Sequence, residues 1–206
     1  MTKVQALVLT GYGTNCERET AYTCRIAGAD KVVIAHFADL VQETVSVHDF
    51  NFLVFPGGFL DGDHLGAAQA AAARLKHTLT RSGDSLVQAI IDLHARGGLI
   101  LGICNGFQLL VKLGLLPATA SQDMTREVSL GHNDSARFED RWVSLAVNPG
   151  SPCIFTQGLG HLYLPVRHGE GKLIARDEAT LQALIQANHV ALQYTDARGN
   201  PTQEYP

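Results

Sequence analysis

No apolar run in this 206-residue chain approaches the ~20 residues that a helix needs to span a bilayer. The opening string, "MTKVQALVLTGYG", lacks a basic start, a long apolar stretch and a small-residue cleavage site, so it reads as a first strand and not as a secretory leader. Four cysteines occur, at 16, 24, 104 and 153, with no Cys-x-x-Cys and no histidine at zinc-finger spacing. That argues against a zinc module and a disulfide framework, and favours reduced thiols in a cytoplasmic protein with no metal of its own. Neither sign of charge dominates: 16 Lys and Arg against 20 Asp and Glu leave a net charge of −4. Such a balance offers no footprint for nucleic acid and no pull toward an anionic membrane. Linkers, repeats and low-complexity segments are also missing. With 46% apolar and 17% charged residues, the composition is that of one globular domain over residues 1–206.

What is present alternates between strand and helix. "VQALVL" is a short apolar strand ending in the glycine-rich "TGYGTN", and "ERETAYTCRIAG" reads as a helix with acidic residues at its start and Gly28 at its end. "KVVIAHF" and "FNFLVFPGG" are the next strands. "LGAAQAAAARLKHTL" has strong helix propensity, and "SLVQAIIDLHARGG" is an amphipathic helix with Leu86, Ile90 and Leu93 on one stripe. "LILGIC" is a fourth strand and "NGFQLLVKLGLL" its following helix. This order predicts an α/β fold with a mostly parallel sheet, buried between helices on both faces. After Pro117 the texture becomes alternating and aromatic. "HNDSARFEDRWVSLAV", "HLYLPVRHGEGKLI" and "HVALQYTD" are expected to be strands, antiparallel additions to that sheet. The final "TDARGNPTQEYP" reads as a strand, a turn and an uncompleted return leg.

Cys104 stands at the carboxyl end of the fourth strand, where open α/β sheets bind ligands. Gly102-Ile103-Cys104-Asn105-Gly106 has the form of a nucleophile elbow with cysteine in place of serine. The tight turn would hold the sulfur out of the sheet, at the positive end of the next helix. The amide of Asn105 could then face a developing oxyanion. A lone Gly-x-Cys-x-Gly is as often a buried small cysteine. The preceding apolar strand and following amphipathic helix favour the nucleophile. Cys24 falls on a helix and Cys153 in a loop, both in structural settings, while Cys16 shares only the first strand-end turn. "FPGGF" at 55–59 ends another strand on the same sheet edge, and its glycines could bring backbone N–H groups to the same reacting centre.

With those residues in view, the chain resembles the class I (triad-type) glutamine amidotransferases. The strings "GTNCERET", "FPGGFLDGDHLGA", "GICNGFQLLVKLGLLP", "HNDSARFEDRWV", "SPCIFTQG" and "LPVRHGEGK", in that order, are similar to the glutaminase subunits of phosphoribosylformylglycinamidine synthase. The resemblance implies a flavodoxin-like three-layer sandwich. It implies glutamine as substrate, Cys104 as the nucleophile that forms a γ-glutamyl thioester, and delivery of ammonia to a synthetase subunit in de novo purine biosynthesis. ATP and magnesium would belong to that partner, with no cofactor on this chain. Matched by position, Gly57, Gly58 and the Phe59 amide would line the oxyanion and glutamine site beside Asn105. Gln108, one helical turn after Cys104, would help hold the substrate, and Asn133, Ser135 and Phe138 would border the pocket.

The family also carries a histidine and a glutamate two residues apart in a His-Pro-Glu string. No His-Pro occurs in these 206 residues. The expectation is therefore of a chain that stops before the last strand and the triad segment, with reduced or absent activity. His168 and Glu170 have the same spacing and would share one face of a strand, but in the family this segment lies nearer the mouth of the pocket. His36, His48, His77 and His94 read as surface or packing residues. His64 has no catalytic partner, and Asp61 and Asp63 are expected to start the following helix. Two further readings remain open at this point: a catalytically incomplete glutaminase-like docking or regulatory subunit, and a cysteine hydrolase with a similar elbow.

Overall fold

The computed structural model describes residues 3–117 and 124–202. The chain forms two compact units, Met1–Leu113 and Gly114–Pro206. The first unit contains β1 (Gln5–Thr10), α1 (Glu17–Ile26), β2 (Lys31–His36), α2 (Phe37–Val41) and β3 (Phe52–Phe55). It continues with α3 (Gln69–His77), α4 (Leu86–Ala95), β4 (Leu99–Gly102) and α5 (Asn105–Leu113). Its four strands form one parallel sheet in the order β2-β1-β3-β4. Strand order reverses between β1 and β3, the place where such sheets bind ligands beyond their carboxyl ends. Parallel crossovers are right-handed as a rule, and running in the two directions from β1 they place helices on both faces of such a sheet.

The sheet centre is dry: Ala6, Leu7 and Val8 of β1 and Leu53 and Val54 of β3 are fully buried. Each buried Leu or Val contributes about 1.5–3 kcal/mol relative to exposure. The α4 stripe behaves as its spacing predicts, with Leu86, Ile90 and Leu93 buried. The Ser85 hydroxyl caps its start by accepting from the Gln88 N–H at 3.3 Å, and Gly97 follows its end at φ 84°.

The alanine-rich helix starts later than its propensity suggests. Ala68 has φ 56°, so regular helix begins at Gln69 and residues 65–68 lie outside it. The Asp63 carboxylate accepts from the Ala68 N–H at 2.8 Å, so this aspartate does anchor the helix entrance. Phe37, read as a strand end, instead starts α2, whose N-terminus His36 caps by accepting from the Ala38 N–H at 3.0 Å.

The second unit contains β5 (Val128–His132), β6 (Glu139–Val147), β7 (His161–His168), β8 (Glu170–Ala175), α6 (Glu178–Gln186) and β9 (Leu192–Thr195). The antiparallel expectation holds, but these strands do not extend the parallel sheet. Among the described residues they pair with one another, as β5-β8 and as β7-β6-β9. "HNDSARFEDRWVSLAV" is a turn followed by β6, and "HLYLPVRHGEGKLI" is two strands that belong to different sheets. β5 and α6 went unread in the sequence. α6 starts where the Asp177 carboxylate accepts from both the N–H and the hydroxyl of Thr180, each at 2.7 Å. After β9 the chain turns at Gly199 and Pro201 bridges back to Thr195. Residues 203–206 of the expected return leg lie outside the described residues.

Candidate active site

β4 becomes α5 within two residues, and Cys104 is the hinge. The Ile103 N–H still donates to the Phe55 carbonyl at 3.0 Å, in line with the β3–β4 ladder, while the Gln108 N–H donates to the Cys104 carbonyl at 3.1 Å. Between these commitments the Cys104 backbone is left-handed, at φ 55°. For a residue with a β-carbon this costs about 1–2 kcal/mol, and such strain concentrates at functional turns. The thiol is exposed. Its sulfur is thus lifted out of the sheet and not packed into the core.

The end of β3 lies directly against it. A β-carbon placed on Gly57 would stand 3.0 Å from the Cys104 Cβ and 3.5 Å from its Sγ. Only a bare backbone fits at this spacing without crowding. The β1 loop packs on the other side of the same turn. Thr14 and Gly58 form an antiparallel bridge, in which the Asn15 N–H donates to Gly57 at 2.9 Å and the Phe59 N–H to Gly13 at 2.8 Å. The Phe59 amide, expected beside the oxyanion, donates to the Gly13 carbonyl. The N–H groups of Gly57 and Gly58 take no part in the bridge. The Asn105 N–H lies in the first turn of α5, where backbone donors have no partner within the helix. Carboxyl ends of β1, β3 and β4 therefore converge where the strand order reverses.

Asn105 is enclosed by its neighbours. It is 1% exposed. Its Oδ1 accepts from the Leu60 N–H at 2.8 Å, and its Nδ2 donates to Asp63 Oδ2 at 2.7 Å and to Gln108 Oε1 at 2.9 Å. Gln108, also buried, meets Asn105 three residues back along the helix. Asp63 was legible only as a helix starter; its bond to Asn105 spans 42 positions and leaves no local mark.

Asn133, Ser135, Phe138, His168 and Glu170 lie together in the second unit. Asn133 is buried, and its Nδ2 donates to the carbonyls of Arg137 at 3.0 Å and His168 at 2.8 Å. Its Oδ1 therefore faces His168 Nδ1, 2.9 Å away, which makes Nδ1 the protonated ring nitrogen. Burial pushes the His168 pKa below the ordinary histidine value, against an opposing pull from the Glu139 carboxylate. The Ser135 hydroxyl accepts from the Arg137 N–H at 3.4 Å, and the Phe138 ring is exposed. His168 ends β7 and Glu170 begins β8, so the pair does not share one strand face as its spacing suggested.

Of the remaining cysteines, Cys24 packs against Val8, Ala21 and Val54, and burial raises its pKa. Cys16 is exposed and precedes α1 at φ 64°. Among the described residues, no three His, Cys, Asp or Glu side chains gather as metal ligands, and no helix is long and apolar enough to cross a membrane.

The pattern that defines the CobB/CobQ-like glutamine amidotransferase domain matches residues 3–206. The chain belongs to this glutamine amidotransferase family. It is 43% identical over 208 residues to phosphoribosylformylglycinamidine synthase subunit PurQ of Dehalococcoides mccartyi, an alignment covering 100% of this chain and 75% of that one. The PurQ subunit of Methanococcus maripaludis is 40% identical over 203 residues, covering 98% and 71%. The solved PurLQS structure from Thermotoga maritima matches with a TM-score of 0.67 at 27% identity, covering 97% of this chain and 78% of that one. Within the amidotransferase family the chain thus stands with the PurQ subunits, as its motifs anticipate. The α/β architecture with a parallel central sheet is that of the amidotransferase structures.

Proposed function

We propose that this chain is the glutaminase component of phosphoribosylformylglycinamidine synthase. Glutamine enters at the β1, β3 and β4 ends. The Cys104 thiolate attacks the side-chain amide carbon, and the N–H groups of Gly57, Gly58 and Asn105 receive the charge on the oxygen. Collapse of that adduct breaks the carbon–nitrogen bond. Ammonia leaves with a proton, and a γ-glutamyl thioester remains on Cys104. Water then releases glutamate and restores the thiol. Gln108 helps hold the substrate, with its amide oriented by Asn105. Ammonia passes to a synthetase subunit, where ATP and magnesium drive formation of the amidine in purine biosynthesis. The protein works in the cytoplasm.

One observation carries the residue assignments: an exposed cysteine at a left-handed turn, 3.5 Å from the position of a β-carbon on Gly57. The test is covalent labelling with the glutamine-shaped diazoketone 6-diazo-5-oxo-L-norleucine, followed by peptide mapping. Label on Cys104 alone, blocked by glutamine, is the expected result. Label spread evenly over Cys16, Cys24 and Cys153 overturns the assignment. A chain that binds its synthetase unchanged after Cys104→Ala, with no loss of glutamine-dependent turnover, would instead be a docking subunit.

A further inference from the structure

We infer that the side chain of Asn105 is a positioning residue for the oxyanion site, acting with Asp63 as its partner. The inference rests on the glutaminase reading and deepens it. The amides of residues 57 and 58 can receive charge only if the loop from Pro56 to Asp63 keeps its place against the elbow. The Thr14–Gly58 bridge and the Asp61 N–H on Tyr12 hold its near side to the β1 loop, but Asp61 and Asp63 are both left-handed, at φ 56° and 54°, and that bridge makes no bond to the elbow. The loop's far end is tied to the nucleophile's own helix by the Asn105 side chain. Asn105 takes the Leu60 N–H on its oxygen and gives its NH2 group to Asp63 and Gln108. Asp63 passes the tie on to the entrance of α3 through the Ala68 N–H.

The chemistry requires both ends of a carboxamide at position 105. An oxygen must meet a backbone donor, and an NH2 group must meet a carboxylate and an amide oxygen. Nearly complete burial removes water as a substitute partner. The residue immediately after the nucleophile therefore contributes its amide N–H to the reacting oxygen and its side chain to the placement of the other donors.

The test compares two reagents on the full-length protein. The diazoketone places a carbonyl where the glutamine carbonyl would lie. Iodoacetamide only reports an accessible thiolate. Removing an oxyanion donor outright costs about 100- to 1,000-fold, so misplacing the loop in Asn105→Ala should slow diazoketone labelling of Cys104, at saturating reagent, by about tenfold or more, with iodoacetamide changed by about twofold or less. Asn105→Asp sets two carboxylates face to face and should be at least as slow. The reciprocal variant Asn105→Asp/Asp63→Asn restores an NH2-to-carboxylate pair, keeps acceptors for Leu60 and Ala68, and lets the Gln108 amide turn. It should recover most of the lost rate. A purely structural role predicts lowered thermal stability and both reagents affected alike, with no reciprocal recovery. The inference is overturned if the single variants react with the diazoketone at the wild-type rate. It is also overturned if the reciprocal variant stays slow or does not fold. A wild-type protein whose Cys104 reacts with iodoacetamide but not with the diazoketone removes the glutaminase reading, and this inference with it.

Discussion

A β-carbon on Gly106 would lie 2.1 Å from the carbonyl oxygen of Phe55. The start of α5 and the end of β3 are thus in backbone contact, and the sulfur of Cys104 sits beside the seam. Gly106→Ala must push the two apart. Overpacking of this kind costs about 1–3 kcal/mol, and here the displaced backbone is the one that carries Gly57. Urea unfolding should show the destabilisation, and diazoketone labelling of Cys104 should slow more than iodoacetamide labelling.

Cys104 itself is held in a conformation that only glycine adopts freely. Cys104→Gly should therefore stabilise the fold by about 1 kcal/mol while abolishing glutamine hydrolysis. Cys104→Ser keeps the strain and a weaker nucleophile, so hydrolysis should fall by at least about a thousandfold with the melting temperature unchanged. Thermal melts of the two variants against wild type check the strain. Equal melting temperatures for Cys104→Gly and Cys104→Ser would mean that the turn stores none.

Arg74 and Asp61 join the β1 and β3 loops to α3. Arg74 Nη2 lies 3.0 Å from Asp61 Oδ2, and its guanidinium stands 4.3 Å from the Phe37 ring centre and 5.7 Å from that of Tyr12. The contact is ionic and not a well-aligned hydrogen bond, since neither Arg74 Nε nor Asp61 Oδ2 gains a hydrogen-bond partner among the described residues. Arg74→Met keeps the packing on the rings but strands a largely buried carboxylate, at a cost of about 1–3 kcal/mol. Arg74→Met/Asp61→Asn should recover most of that loss. A double variant as unstable as the single would assign the effect to the rings alone.

Two groups in the second unit give its stability an acid-side dependence. His168 has a depressed pKa, chiefly from burial, so the folded state binds its proton less readily than the unfolded chain does. Its contribution is complete above about pH 6.5, the unfolded value, and is lost as pH falls through the lower folded value. Asp177 is held at about 2 by the Thr180 N–H and hydroxyl and then by Arg176, so its contribution is present above the unfolded value of 3.8 and falls away toward pH 2. His168→Gln should flatten the stability profile below pH 6.5, and Asp177→Asn the profile below 3.8. Denaturant midpoints measured from pH 2 to 8 would resolve the two windows. An unchanged profile in either variant removes that group from the account.

The parallel core was determined by the sequence, because burial on both faces demands continuous apolar strands and the helices between them carry a local period. Leu7, Val54 and the Leu86–Ile90–Leu93 stripe needed no long-range information. The elbow was equally local: strand, Gly-x-Cys-x-Gly, helix. Tertiary structure alone decided the partners of the groups around the sulfur. The commitment of the Phe59 N–H to Gly13 and the tie from Asn105 to Asp63 join residues far apart in sequence, and hydrogen-bonding partners at such distances impose no periodicity. The same reason accounts for the later strands. Alternation showed that β6 to β9 were strands, but pairing is chosen among edges by packing, and it assigned them to sheets of their own.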